Sequence, residues 1–557
     1  MKINILLPYT EEKKNWTLPE GQTLLDGMKN HMENYRQYMG AIVSNELVNL
    51  GYTPKDGDSI RLLDIKTTAG MRIYTNTLVM IFQMAQERLF PERRSIIHHH
   101  LGSAIYTETQ NKIPFRYADV NAIEEEMRRI IKEDMPILKE TIQNGDLLHL
   151  FEKEQRADKV KLYKTIDKTE TTVYRVGEHM ESFEGEVAPS TGFVDKFALK
   201  YYYPGILIPY PSKKKNYALD LEEEHPKLSK VFQDATKAAE IVGVSYVGDL
   251  NDIIRRGKAR ELILVSETFL DNKMDTIAKE IIADPAKRVV LISGPSSSGK
   301  TTFAQKLKVH LKISGVNTIE ISTDDYFVRR SETPLKPDGS YDFETIDAVD
   351  IKSLNRDIMG LIEEGSIQRR SFDFIKGEPI FTDEVLHLGE KDIIIIEGIH
   401  ALNPKLSRHI PNRNKFKIYL SALTTMNIDH SNRVSTTDAR FIRRMVRDNR
   451  TRGRNVITSI TEWKNVREGE DKYVFPFQEE AEILVDTSLD YELAVLKKHA
   501  MPLLKQVPKD SPHYVRAKRL MNMLEYFNSI EDDELLPNTS LLKEFIGGSV
   551  FDREIEL

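Results

Sequence analysis

Along the chain, apolar and polar positions fall into blocks whose period changes several times. Residues 3–7 form a short apolar run that predicts a strand. A helical pattern follows over 23–31, a strand over 41–48, and a closing strand over 59–63 after the turn-forming Lys55-Asp56-Gly57-Asp58. Residues 75–89 predict a helix stopped at Phe90-Pro91. Ile123, Met127, Ile130, Ile131, Met135 and Leu138 recur at helical spacing and predict one helix over 121–143. Strands are predicted over 171–176 and 205–209, and the polar, helical stretch 220–283 reads as a connector. Beyond Pro285 come continuous apolar runs at 288–293 and 392–396, of the kind expected for buried parallel strands. The division this suggests is 1–66, a small mixed domain; 67–235, α+β; 236–284, a helical connector; 285–505, α/β; and 506–557, a helical extension. No internal repeat or low-complexity tract interrupts it.

The chain has 557 residues, and three or four domains are the expectation for that length. Asp plus Glu is 86 against 79 for Lys plus Arg, a formal charge of −7, which excludes a globally basic nucleic-acid coat but not a local basic patch. Cysteine is absent, so disulfides, thiolate zinc sites, iron–sulfur clusters and cysteine nucleophiles are excluded. No apolar run approaches the roughly 18 residues of a membrane span, and the N-terminus lacks a signal-peptide core. A soluble, cytoplasmic protein with no membrane association is expected.

The sharpest signal is Gly294-Pro-Ser296-Ser297-Ser298-Gly299-Lys300-Thr301-Thr302, set between an apolar strand and a helical pattern through Phe303, Leu307 and Leu311. The spacing is G-x-x-x-x-G-K-[ST]. The glycines let successive N–H groups curl around an anion, and the helix N-terminus adds its partial positive charge. Lys300 can reach the β/γ-phosphates, and the Thr301 hydroxyl can ligate Mg²⁺. A Gly/Ser-rich turn that happens to hold a lysine is the plain alternative; the flanking strand and helix argue against it.

Four weaker pieces follow. Glu397-Gly398 ends the strand at 392–396, putting a carboxylate at a strand's C-terminal edge, where ligands of open α/β sheets sit. Thr323-Asp324-Asp325-Tyr326-Phe327 follows the strand at 319–322, with carboxylates in a position to orient metal or accept a hydroxyl proton; alone, such a pair is usually a solvated turn or cap. Arg440, Arg443, Arg444 and Arg447 line one helical face ahead of Asp448, Arg450, Arg452-Gly453-Arg454. That face can clamp transferring phosphates, be a solvated face with internal pairs, or bind RNA. Arg370-Ser-Phe372-Asp-Phe374 could stack on a nucleoside, or be an amphipathic strand with Phe in the core.

In order and spacing, these pieces with Tyr341-Asp342-Phe343 resemble the uridine kinase-like nucleoside kinases of the phosphoribulokinase/uridine kinase superfamily, over about residues 285–500. The resemblance implies a P-loop kinase domain with a mostly parallel sheet, ATP and Mg²⁺ as cofactors, and a small-molecule acceptor. It implies that Gly294, Ser296, Ser297, Ser298, Gly299, Lys300, Thr301, Thr302 and Arg454 bind the nucleotide and that Thr301 and Glu397 hold Mg²⁺. Asp324 would take the 5′-hydroxyl proton, with Lys300, Arg447 and Arg452 also catalytic. Asp342, Phe372, Arg444 and Tyr326 would bind the acceptor. The segment Asp342-Phe-Glu-Thr-Ile-Asp347 is longer than the family's F-D-x-P-D, so Asp342 and Glu344 compete for the ribose. Residues 424–438 look like an insertion before the lid helix.

The N-terminal half resembles the front of threonyl-tRNA synthetase, a TGS-like β-grasp domain followed by an editing-like α+β domain, on Gln86-Glu-Arg-Leu-Phe-Pro91, the helix from Asn121 and Val187-Ala-Pro-Ser-Thr-Gly192. The family's H-x-x-x-H pair falls on Asn76 and Met80, and its C-x-x-x-H pair on Phe183 and Val187. These side chains are mostly unable to ligate metal or relay protons, so the resemblance implies a retained fold without editing chemistry. His98-His99-His100 is read as loop or surface structure, because adjacent histidines on a strand point to alternate faces.

Two functions follow. One is ATP-dependent phosphorylation of a small hydroxylated molecule, foremost the 5′-hydroxyl of uridine or cytidine. The other is an RNA- or ribosome-associated regulatory ATPase, whose N-terminal half binds RNA or a nucleotide signal. A homo-oligomer is expected. The full base, metal and lid set favours the kinase, since a switch needs neither a ribose-reading acid nor a stacking aromatic.

Overall fold

The computed structural model describes residues 1–10 and 13–552. The architecture is α/β with an all-parallel sheet in its C-terminal half. That sheet is ordered Thr318–Ser322, Ile393–Glu397, Val289–Ser293, Lys415–Ser421, Ile483–Asp486, with the P-loop strand in the middle. Val289–Ser293 and Ile393–Glu397 are buried along their whole length, which is why both read as unbroken apolar runs. Val290 and Ile292 point into one core, with Phe303, Leu307 and Met445; Val289 and Leu291 point into another, with Ile394, Ile396 and Leu354.

The N-terminal half carries three sheets. The first has five strands, with Lys2–Leu6 paired parallel to Ser59–Asp64 and antiparallel to Lys13–Thr17. The strand expected over 41–48 is a hairpin, Tyr38–Val43 and Glu46–Val48. Ser44 and Asn45 both have positive φ (50° and 59°), the pattern of a two-residue primed turn. The helix expected over 121–143 ends at Glu133. Asp134 is left-handed, Pro136 follows, and Leu138–Gln143 is a strand. The strand Gly205–Pro209 lies where the sequence puts it.

The connector is helical as expected, and both joints are built into the packing. The stretch read as a polar connector forms the helices Pro226–Val242, Val247–Arg255 and Ala259–Ala283, and Leu262, Ile263, Leu270 and Ile277 of the last join the same core as the P-loop strand. Residues 424–438, an insertion in sequence, are the joint between the halves. The Asn427 amide donates to Ile97 O (2.6 Å), His430 N–H to Asp158 (2.9 Å), and Asp429 pairs with Lys159 (2.9 Å). Lys159 is fully buried and also pairs with Glu181 (2.5 Å). No helix among the described residues is long and apolar enough to cross a membrane.

Candidate active site

The P-loop runs from the end of its strand into the helix Lys300–Ile313. Gly294 is required by contact, since a Cβ there would lie 2.3 Å from Leu420 O. Gly299 turns the chain at φ +81°, and Ser297 also has positive φ. Among the described residues, Lys300 Nζ donates only to the loop's own carbonyls, Gly294 O (3.0 Å) and Pro295 O (3.2 Å). Burial holds its pKa below the usual lysine value, while Glu397, Asp324 and Glu544 pull it back up. Ser297 Oγ and Ser298 Oγ are buried without a hydrogen-bond partner among the described residues. A cation on neutral carbonyls beside two unspent hydroxyls is a cradle that fits a polyphosphate.

Asp324 and Glu397 converge on Lys300 because two neighbouring parallel strands end side by side. Gly398 permits the approach, as a Cβ there would sit 1.8 Å from Thr323 Oγ1. Ser322 ties the two ends together, its hydroxyl donating to Glu397 (2.8 Å) and accepting from Asp324 N–H (3.3 Å). Burial first, then the charge of Asp324, pushes the Glu397 carboxyl up to about 8. Asp324 opens on the cleft; the enclosing walls raise its pKa, and Lys300, Arg452 and Arg447 oppose the rise. Asp325 instead takes a hydrogen bond from Ser371 (3.2 Å). Thr301, exposed at the helix start, and the two carboxylates make an all-oxygen donor set, which fits a hard cation such as Mg²⁺.

The arginine helix is Thr436–Arg452, and it divides its side chains between two tasks. Arg440 and Arg443 do not face the cleft. Arg440 is locked bidentately on Glu470 (2.8 and 2.7 Å), and Arg443 pairs with Glu492 and donates to Ser297 O (3.4 Å). Arg444 donates to Ser296 Oγ (2.8 Å). Arg444, Arg447 and Arg452 all lie within 3.4 Å of Asp448, a buried carboxylate. Asp448 thus gathers three guanidiniums, with Glu462 3.8 Å from Arg444 and Glu544 3.8 Å from Arg447. Arg454 pairs with Glu462 on the next helix, Val456–Tyr473.

Among the expected acceptor residues, Tyr326 is not brought to the cleft. It is buried, its hydroxyl donates to Asp357 (3.0 Å), and Arg370 lies over its ring. Phe372, on the hairpin strand Ser366–Asp373, packs with Phe327 and Phe374. Asp342 accepts from Glu344 N–H (3.3 Å) in its own turn. The half-buried Glu344 carboxyl lies among the charges of Arg444, Glu470 and Asp324, and desolvation pushes it up to about 7.

Sequence reasoning missed three groups. Glu470 accepts Ser296 N–H of the P-loop (2.9 Å) while holding Arg440 and Arg467. Glu462 steadies Arg454. From the C-terminal extension, Glu544 accepts the Thr302 hydroxyl (2.9 Å), and Leu541 packs where a Cβ on Gly299 would lie. The P-loop partners of Glu470 and Glu544 are remote in sequence, so no local pattern announces those two; Glu462 lies only eight residues from Arg454. In the N-terminal half, Met80, Phe183 and Val187 are buried in an apolar core and the Asn76 amide donates to Glu186 O (3.2 Å). The histidines lie on a strand, not a loop, and alternate in burial: His99 is buried and stacks on Phe232, while His98 and His100 are half-buried and His100 meets the Tyr210 hydroxyl (2.9 Å).

Residues 289–494 match the model of the phosphoribulokinase/uridine kinase family. The N-terminal half is similar to threonine–tRNA ligases. That of Carboxydothermus hydrogenoformans is 26% identical over 199 residues, 35% of this chain and 31% of the ligase. That of Syntrophomonas wolfei is 29% identical over 178 residues, 31% of this chain and 28% of the ligase. The chain thus spans about a third of the length of the curated relatives it matches. Among solved structures, a putative fructose transport system kinase from Silicibacter sp. TM1040 aligns with a TM-score of 0.30 at 17% identity, covering 38% of this chain and 98% of that one. A possible uridine kinase from Bacillus stearothermophilus aligns at 0.28 and 20%, covering 39% and 99%.

Proposed function

We propose that the C-terminal half is a phosphotransferase that moves the γ-phosphoryl group of ATP to a hydroxyl of a small molecule, with the 5′-hydroxyl of a pyrimidine ribonucleoside as acceptor. The observation that carries this reading is the meeting of Lys300, Asp324 and Glu397 at the mouth of the P-loop, beneath arginines gathered on Asp448. A phosphoryl transfer asks little covalent help of a protein; it asks for positioning and for charge neutralisation as the bond to the leaving oxygen lengthens.

In this account Asp324 accepts the hydroxyl proton as the acceptor oxygen bonds to phosphorus and the bond to the β-phosphate oxygen breaks, giving a monophosphate and ADP. Lys300 exchanges its loop carbonyls for phosphate oxygens. Arg447 and Arg452, already beside Asp324, neutralise the charge that develops there. Thr301 and Glu397 would hold Mg²⁺, which supplies neutralisation between the phosphates when bound. Glu344 would read the ribose, with Phe372 flanking the base. The RNA-associated reading loses support from the helix itself, because Arg440 and Arg443 are consumed in buried ion pairs and leave no continuous basic track.

The test is a screen of ATP consumption by the purified chain against nucleosides, sugars, polyols and RNA. ADP formation that depends on uridine or cytidine is expected. Consumption that responds to RNA and to no small hydroxylated molecule would replace this reading with the regulatory ATPase.

A further inference from the structure

Between the N-terminal sheets and the helices Thr436–Arg452 and Val456–Tyr473 lies a cavity of about 690 Å³, room for a nucleotide-sized molecule. Lys300 and Asp324 are not among its walls, although Pro295 of the P-loop is. The helix Thr68–Leu89 contributes Arg72, and the joint between the halves contributes Arg433.

Of the four carboxylates in the wall, Asp438, Glu223 and Asp471 are committed, the last to Arg467 (3.4 Å), while Glu184 lies 3.7 Å from Arg519 and keeps one oxygen without a hydrogen-bond partner among the described residues. Asp438 is held bidentately by Arg519 (2.8 and 2.6 Å), and Glu223 by Lys214 (3.0 Å) and His225 (3.2 Å). Of the four guanidiniums, Arg440 and Arg467 are held by Glu470, and Arg433 and Arg72 are less fully paired. Arg433 has no carboxylate within ion-pair reach among the described residues; its Nη2 donates to Leu423 O (3.1 Å) and Thr436 Oγ1 (3.0 Å), and its Nε is buried with no partner. Arg72 comes only within 3.7 Å of Asp438, which Arg519 has already taken. Lys213, exposed at the rim, has no ion pair among the described residues.

An enclosed guanidinium without a counter-charge is expensive to keep, and its forked donors match phosphate and carboxylate oxygens. Two such forks with an ammonium at the rim exceed what one carboxylate neutralises and suit a dianion. We propose that this cavity binds a small phosphate-bearing organic molecule of mononucleotide size, its phosphate held by Arg433 and Arg72. The wall also leads to the P-loop: Arg467 holds Glu470, and Glu470 holds Ser296 N–H, so an occupant that draws on Arg467 is felt at the catalytic loop.

Titration calorimetry of the full chain with uridine monophosphate, run in excess uridine to fill an acceptor cleft, tests this. Saturable binding is expected, unchanged by Lys300→Ala and weakened roughly tenfold to a hundredfold by Arg433→Gln. Binding that excess uridine or Lys300→Ala abolishes, or that a folded Arg433→Gln leaves intact, would overturn the proposal. Inorganic phosphate binding as tightly as the monophosphate would overturn an organic ligand. Should Arg433→Gln fail to fold, Lys213→Glu at the exposed rim decides: severalfold weaker binding supports the site, and unchanged binding rejects it.

Discussion

The two halves of this chain treat their chemistry-bearing positions in opposite ways. In the N-terminal half, three of the four positions aligned with metal- and proton-handling residues of threonyl-tRNA synthetase are apolar and packed into a core, and the fourth spends its amide on backbone. None of those four positions keeps a group that could ligate metal or relay a proton. In the C-terminal half, charge is buried and left incompletely compensated: a lysine on carbonyls and a carboxyl raised to about 8. Uncompensated burial costs stability and persists where a ligand offsets it. Substitutions in one half should therefore move folding, and in the other, rate.

The largest contrast is expected at Asp324. Asp324→Asn should cut turnover by about 10²- to 10⁴-fold with ATP binding nearly preserved, the usual loss for a general base. Asp325→Asn should cost far less, because that carboxylate faces Ser371. The reverse order in steady-state assays would shift the base by one residue.

Next comes the joint. Lys159→Met leaves the buried Asp429 without its cation and should destabilise the chain by about 3–5 kcal/mol in denaturant unfolding. An unchanged midpoint would mean that the halves are not held by this network. Met80→Ala, in the filled core, should cost about 2–5 kcal/mol while turnover per folded molecule stays at the wild-type level. A rate loss there would break the comparison.

The smallest effect is a pH dependence. Glu397 is raised above its unfolded value, so the folded chain binds the extra proton between about 4.5 and 8. Its contribution is complete below the lower value and is lost as pH rises through the upper one. The melting temperature of the ligand-free protein should fall across that window, and Glu397→Gln should flatten the fall.

How much of this was legible in sequence follows from how local each signal is. The P-loop, its strand and its helix are contiguous, and the motifs at Asp324 and Glu397 sit at strand ends that apolar runs mark. Periodicity put Arg440, Arg443, Arg444 and Arg447 on one face, but not which of them meets a buried acid, since Glu470 and Glu492 lie far along the chain. The helix predicted to 143 overran because apolar spacing continued through Asp134 and Pro136, where the backbone cannot. Glu544 and the joint at 424–438 were invisible for the same reason as Glu470: their meaning is given by partners 94 to 330 residues away.

The measurement that bears most directly on the central claim is the yield of uridine monophosphate per ADP formed, in the wild type and in Lys300→Ala. The account predicts one monophosphate per ADP, no appreciable ADP without an acceptor, and neither product from a folded Lys300→Ala chain. ADP released without a phosphorylated acceptor, or wild-type turnover in Lys300→Ala, would contradict it.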